Sequence, residues 1–309
     1  MRIDAHTHLI PDAYRRQLDS RGLLGFPLPA ADVDGLSEMM QRHEIDAAVI
    51  APSPPGVSFG DQGLANELAR LLNEELSATA RRNSSRFAAL AILPLPDLES
   101  ALSELDYALD ELGMDGVMLL SNVAGTYLGD ARWEPLWVEL DRRAAHVFVH
   151  PQQPPYPPPM PGHPVWLYEY PFDTTRAAVN LIYSGTLERH QKVTIQLAHL
   201  GGAAPYLGHR IASLALRDPK AARLAPAGAL AYLERLYYDT GLADNEIELA
   251  AMKLLAPVDK IVFGTDWPYA PLPEAGDPQP SLVGLGSDRE LVDARNLQRL
   301  LPRLRSLGD

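Results

Sequence analysis

Five side chains in this sequence are of the types and in the positions to assemble a metal-dependent catalytic group. His6 and His8 flank Thr7 near the start of the chain. Residues two apart on an extended strand point the same way, so both imidazoles can converge on one ion. A lone His-x-His pair is common on surfaces and says little by itself. Three further groups give it weight. His150 closes the apolar run Val147-Phe148-Val149, His199 closes Ile195-Gln196-Leu197-Ala198, and Asp266 follows Val262-Phe263-Gly264-Thr265. A structural histidine or a capping aspartate would account for any one of these endings, but not for the same ending on four runs. Imidazole nitrogen and carboxylate oxygen suit a borderline divalent ion such as Zn²⁺, with Mn²⁺ or Fe²⁺ as alternatives. An ion with an open coordination position brings the pKa of bound water toward ~7, or polarises a substrate oxygen.

For these groups to meet, the runs that carry them must end at one place. Strand patterns cover residues 2–6, 45–51, 87–93, 116–120, 147–150, 193–199, 236–240 and 261–265. Most are continuously apolar rather than alternating, as in parallel strands covered on both faces. Helical patterns lie between them. Leu98, Leu102, Leu105, Leu109 and Leu112 recur at steps of three and four, with Gly113 as a natural C-cap, and Leu64, Leu68, Leu71, Leu72 and Leu76 do the same. Further helices are expected at 33–42, 134–143, 174–189, 203–216, 226–235, 244–255 and 288–301. Eight strands alternating with helices predict a (β/α)8 TIM barrel, whose strand C-termini share one mouth. An open doubly wound sheet is the alternative, weakened by the lack of a Gly-rich phosphate loop after the first strand. The whole of 1–309 reads as one barrel domain with loop insertions after strands 5 and 8. The first insertion, 151–171, contains a proline cluster from Pro154 to Pro161; the second, 269–286, is also rich in Pro and Gly.

Composition narrows the function classes. The chain has 309 residues, 46% hydrophobic and 22% charged, which fits a globular protein and excludes global disorder. With no cysteine there can be no disulfide scaffold, thiolate metal site or Cys nucleophile. The net charge of −13 disfavours nonspecific nucleic-acid binding and anionic membrane surfaces. No stretch approaches the ~20 apolar residues of a membrane span. The N-terminus lacks an apolar signal core, so the expected compartment is the cytoplasm.

The constellation resembles the amidohydrolase superfamily, whose hallmark is His-x-His on strand one, His on strands five and six and Asp on strand eight. Ile3-Asp4-Ala5-His6-Thr7-His8 and Phe263-Gly264-Thr265-Asp266-Trp267-Pro268 look like the branch of aminocarboxymuconate-semialdehyde decarboxylase and its aromatic-acid relatives. Leu93-Pro94-Leu95-Pro96-Asp97, the run from Asp106 to Gly113, and Glu169-Tyr170-Pro171-Phe172-Asp173-Thr174-Thr175-Arg176-Ala177 resemble its 6-methylsalicylate decarboxylase group. The resemblance implies that His6, His8, His150 and Asp266 bind one divalent metal, Zn²⁺ first and Mn²⁺ next. It implies that His199 is an acid/base or substrate-orienting group, and that Asp266 also carries a proton. It implies a non-oxidative decarboxylase of a small aromatic carboxylic acid, acting as a homodimer or larger. A hydrolase or lactonase on a carboxylated ring is the alternative within the branch, and a noncatalytic metal- or acid-binding barrel the alternative outside it.

Two departures sharpen this. Leu119-Leu120-Ser121-Asn122 stands where two-metal members carry a carbamylated lysine, which points to one metal. From Ala51 to Phe59 there is no Arg to hold a second carboxylate, so that side of the pocket looks apolar and suits a monocarboxylate. Candidate substrate contacts are Phe59, Asn122, His163, Arg176 and Trp267. For Phe59, Trp267, Tyr156, Trp166 and Tyr269 the competing role is packing under loops; for Asn122 it is a turn or cap, and for Arg176 a surface or dimer contact. Asp173 reads as the N-cap of the helix that follows. Asp239, near the end of strand seven, could orient a ligand histidine or cap the next turn.

Overall fold

The structure is a computed structural model, and it describes residues 1–24, 27–154 and 162–305. Eight strands run in chain order: β1 Ile3–His8, β2 Ala47–Ala51, β3 Phe87–Ile92, β4 Gly116–Leu120, β5 His146–His150, β6 Thr194–Leu197, β7 Tyr237–Asp239 and β8 Ile261–Val262. Each pairs in parallel with the next. The sheet returns on itself, because Ala5 donates to the Phe263 carbonyl (2.8 Å), Asp266 to His6 (2.8 Å) and His8 to Trp267 (2.9 Å). Strands joined through helices on one side and ring-paired on the other make the (β/α)8 barrel that the run pattern predicts.

Alternation along the strands divides the core. Val49, Leu90, Met118 and Phe148 fall in one packed group; Ile50, Leu119, Val147 and Val149 fall in another with the helix residues Leu76, Leu105, Leu140 and Leu181. Period-two side chains of a closed sheet fill the interior with one set and meet the helices with the other, so both sets must be apolar.

The helices start where side chains supply the missing acceptors. Asp32, Asp61 and Asp97 accept from the backbone of Gly35 (2.8 Å), Leu64 (3.0 Å) and Ser100 (2.8 Å), opening helices Val33–Arg42, Gln62–Arg82 and Leu98–Asp106. Each such cap satisfies a backbone donor that the helix itself leaves unpaired.

Three expectations change. β6 and β8 stop short of the predicted ends, so His199 and Asp266 stand just beyond the strands. Leu98–Asp106 passes into a π-helical turn at Tyr107–Glu111 before Gly113. The helix expected from 174 begins earlier, as Glu169–Tyr183, with Pro171 in its first turn where a missing N–H costs nothing. Asp173 is therefore inside that helix rather than its N-cap. It is fully buried because the loop after β4 supplies its hydrogen-bond donors from outside the helix.

Candidate active site

β1 carries both of its histidines inward through an irregularity. Asp4 pairs with Ala48 and Thr7 with Ile50, three residues against two, so a bulge lies between them. A bulge re-aims the residues around it. Here Asp4 turns its carboxylate to the Thr265 amide (3.0 Å) and hydroxyl (2.6 Å), while His6 and His8 face the other groups of the mouth. His150 ends β5. His199 and Asp266 hold φ values of +54° and +62°, the left-handed region where a side chain costs of order 1 kcal/mol or more. Tertiary bonds keep them there: Asp266 N–H donates to the His6 carbonyl and His199 N–H to Asp239 Oδ1 (3.2 Å).

His6, His8, His150 and Asp266 are all buried, and one ligand atom of each lies within 4.8 Å of the others. Asp266 Oδ1 is 3.1 Å from His6 Nε2 and 3.2 Å from His8 Nε2, and the two Nε2 atoms are 3.1 Å apart. The far side of each ring is anchored. His6 Nδ1 meets Asp239 Oδ1 (2.9 Å), His8 Nδ1 the Pro52 carbonyl (2.7 Å) and His150 Nδ1 the Pro151 carbonyl (2.7 Å). These partners only accept, so each Nδ1 carries a hydrogen and each ring turns its Nε2 edge inward. Among the described residues, His150 Nε2 and Asp266 Oδ1 have no hydrogen-bond partner. Buried lone pairs aimed at one another need a positive charge between them.

The electrostatics agree. Burial opposes charge on His6, but Asp239 and Asp266 together push its pKa up to about 10, so without a metal ion that ring holds a proton between the two carboxylates. Burial holds His8 below the ordinary imidazole value. Burial and the neighbouring imidazoles hold His150 well below it. Both rings are thus free donors at neutral pH. Burial would raise Asp266, yet His6, His199 and His8 keep it well below the usual carboxylate range. Three imidazoles and a carboxylate with free inward donors form a buried group able to bind a metal ion.

Around this group, Asp239 does both things considered for it. It anchors His6, and it also accepts from Gln196 Nε2 (2.9 Å) and the Gly241 amide (3.1 Å). His199 Nε2 lies 3.3 Å from Asp266 Oδ2 and is slightly exposed. Phe148 packs edge-on against His6, with ring centroids 4.8 Å apart. Tyr269 stands edge-on to His8 at 5.6 Å, and its hydroxyl bonds Ser53. No spacing in the sequence joins Ser53 to Tyr269; the contact spans two loops.

The expected substrate contacts are dispersed. Asn122 is buried and donates to Asp173 (2.8 Å) and the Gln153 carbonyl (3.2 Å), while its oxygen accepts from the Gly125 amide (3.1 Å) in a turn. Arg176 pairs with Glu169 (3.3 Å) and faces Asp173 (3.7 Å). Phe59 packs, partly buried, on the inner core group, and Trp267 packs on both groups, with its indole over Gly35. His163 and Trp166 are exposed. Tyr156 and most of the proline cluster lie outside the described residues. Among the described residues, no helix is long and apolar enough to cross a membrane.

Comparison with known proteins adds an independent view. The family model described as Amidohydrolase matches residues 3–293. The chain is 35% identical to a Penicillium terrestre protein named decarboxylase macB, covering 98% of this chain and 96% of that one. It is 33% identical to the 6-methylsalicylic acid decarboxylase acuB of Aspergillus aculeatus, covering 88% and 85%. Among solved structures, it superposes on a dihydroxybenzoic acid decarboxylase from Polaromonas sp. JS666, bound to manganese and the inhibitor 2-nitroresorcinol. The TM-score is 0.77 at 25% identity, covering 97% of this chain and 96% of that one.

Proposed function

The chain belongs to the amidohydrolase family, and on that premise we propose that it is a carboxy-lyase that removes CO₂ non-oxidatively from a salicylate-type aromatic acid. The first substrate is 6-methylsalicylate, which would give 3-methylphenol. The relatives named as decarboxylases over most of the chain support the reaction class. One structural observation carries the site assignment: four buried donors from three strand ends converge within 4.8 Å of one another, and His150 Nε2 and Asp266 Oδ1 among them have no hydrogen-bond partner.

His6, His8, His150 and Asp266 would hold one divalent ion, Zn²⁺ first and Mn²⁺ next, and that ion would supply Lewis-acid charge for the carboxylate and adjacent phenol oxygen. The protein's own groups do the rest. Asp239 and the Pro52 and Pro151 carbonyls fix the imidazole tautomers and ring orientations. His199 passes a proton to Asp266 Oδ2 across 3.3 Å, and Asp266 delivers it to the ring carbon bearing the carboxylate. The bond from that carbon to the carboxyl carbon then breaks. CO₂ leaves, the bonding pair stays with the ring and restores aromaticity, and His199 recovers its proton from solvent. The enzyme would act as a homodimer or larger, in the cytoplasm, the latter in keeping with its lack of cysteine.

The test is an ultraviolet assay of metal-loaded protein with 6-methylsalicylate beside a chelated control. Metal-dependent appearance of 3-methylphenol with CO₂ release is expected. Ring opening of a lactone substrate with proton release, and no CO₂ from any hydroxybenzoate, would overturn the reading in favour of a hydrolase.

A further inference from the structure

Beside the candidate metal group lies a cavity of about 850 Å³. None of the four metal-group side chains lines it. It begins one strand over, at Leu120, whose Cα pairs with that of His150 across the β4–β5 ladder. From there it runs along the mouth past Met118 and Ile92 to Val57, Leu95 and Val123. Gly56 packs closely against the Leu120 and Ile92 side chains that line this end. It holds φ +74°, and a Cβ there would stand 2.9 Å from a Leu120 methyl and 3.6 Å from one of Ile92.

Most of the cavity's polar side chains are already bonded within the protein, the exposed Gln153 amide being the exception. Asp61 caps the helix Gln62–Arg82. Gln62 donates to Asn66 (2.8 Å) and the Pro94 carbonyl (2.6 Å) and accepts from the Asp97 amide (3.3 Å). Asn122 is spent on Asp173, and Gln152 on the Asn122 carbonyl. Among the described lining residues there is no Lys or Arg, and the one carboxylate present would repel an anion. Such a space gains by taking apolar surface and, among the described lining residues, offers no cation to a second acid group. Its volume is in the range of about 300–1,000 Å³ that encloses a drug-sized ligand, well beyond one methyl substituent.

We propose that this cavity is a substituent subsite, and that the substrates are salicylates bearing a linear alkyl chain longer than methyl at position 6, the chain passing Leu120 into the space between Ile92 and Ala65. The proposal rests on the decarboxylase reading for its ring, but the cavity makes its own prediction about chain length.

Two measurements separate the parts. The first is calorimetric binding to the metal-loaded enzyme of 2-methyl-, 2-propyl- and 2-pentylbenzoate, which lack the phenol. Burial of a methylene at about 0.8 kcal/mol corresponds to about fourfold in affinity. Affinity should therefore rise several-fold per added methylene, and Ala65→Leu, which fills the far end, should flatten the rise for pentyl. Should that variant not fold, Ser58→Trp at the exposed rim replaces it. A flat or falling series, or an unchanged slope in the filled variant, overturns the subsite. The second is kcat/KM for the matching 2-hydroxy-6-alkylbenzoates. Decarboxylation of the methyl compound with a flat or inverse chain-length series removes the subsite and leaves the reaction. Chain-dependent binding with no CO₂ from any member removes the reaction and leaves the subsite.

Discussion

Asp173 and Asp266 are both buried carboxylates of the same barrel, and their surroundings are opposite. Asp173 is saturated: the Ser121 hydroxyl, Asn122 amide and Tyr127 hydroxyl (2.7 Å) all donate to it, with Arg176 3.7 Å away. Asp266 faces three imidazole nitrogens at 3.1–3.3 Å, and its Oδ1 has no hydrogen-bond partner. Asp173 sits within a regular helix, whereas Asp266 holds a left-handed backbone. A buried charge satisfied by neutral donors is a fastener, pinning the loop after β4 to the helix Glu169–Tyr183. A buried charge ringed by imidazoles, on a strained backbone, is poised to share a cation with them.

The strongest test of this contrast is to remove each carboxylate. Asp266→Ala should lower kcat for 6-methylsalicylate by about 10³-fold or more, with little change in the melting temperature of the metal-free protein. Retained turnover would sink the assignment. Asp173→Ala should do the reverse. Three buried donors lose their acceptor, so urea unfolding should show a loss of about 3 kcal/mol or more while turnover per folded molecule survives. Abolished turnover at unchanged stability would erase the distinction.

Acid probes a buried titratable group outside both regions. Burial pushes His146 down to about 4, whereas in the unfolded chain it titrates near the ordinary imidazole value of 6.5. Between those values the unfolded state binds a proton that the native state refuses. Stability is therefore lost as pH falls from about 6.5 to about 4, by up to about 3 kcal/mol. His146→Asn should show a shallower pH slope of the urea midpoint over that window, and an equal slope would refute the assignment. A smaller effect is expected one residue out from the metal group. Asp239→Asn keeps an acceptor for His6 but removes its charge, and competition with a chelator should report roughly 10–100-fold weaker metal binding. Smallest of all, Tyr127→Phe removes one of Asp173's donors and should cost about 1 kcal/mol. A loss several times larger would mean that the Asp173 cluster acts as a cooperative unit rather than as separate bonds.

Much of this was legible from the chain. Strands buried on both faces read as continuous apolar runs, and a polar residue closing such a run, as at His150, His199 and Asp266, stands out against it. The family resemblance rested on the same positions. What local pattern misjudged was Asp173. Asp-Thr-Thr-Arg reads as a helix start, because the sequence shows the capping chemistry but not the distant donors that compete for the carboxylate. Arg176 and Trp267 carry the chemistry of a substrate contact, and the fold adds their neighbours Glu169 and Gly35.

The sequence by itself determined the number and order of the barrel strands and the identities of the five chemical groups at their ends, because burial period and residue type are local properties. Tertiary structure decided what those groups face. The β1 bulge, the left-handed turns at His199 and Asp266, the acceptors behind each imidazole and the cavity behind Leu120 are all set by contacts between segments distant in the chain. A short-range pattern carries no record of such contacts, since their energy is gained only once the barrel has closed.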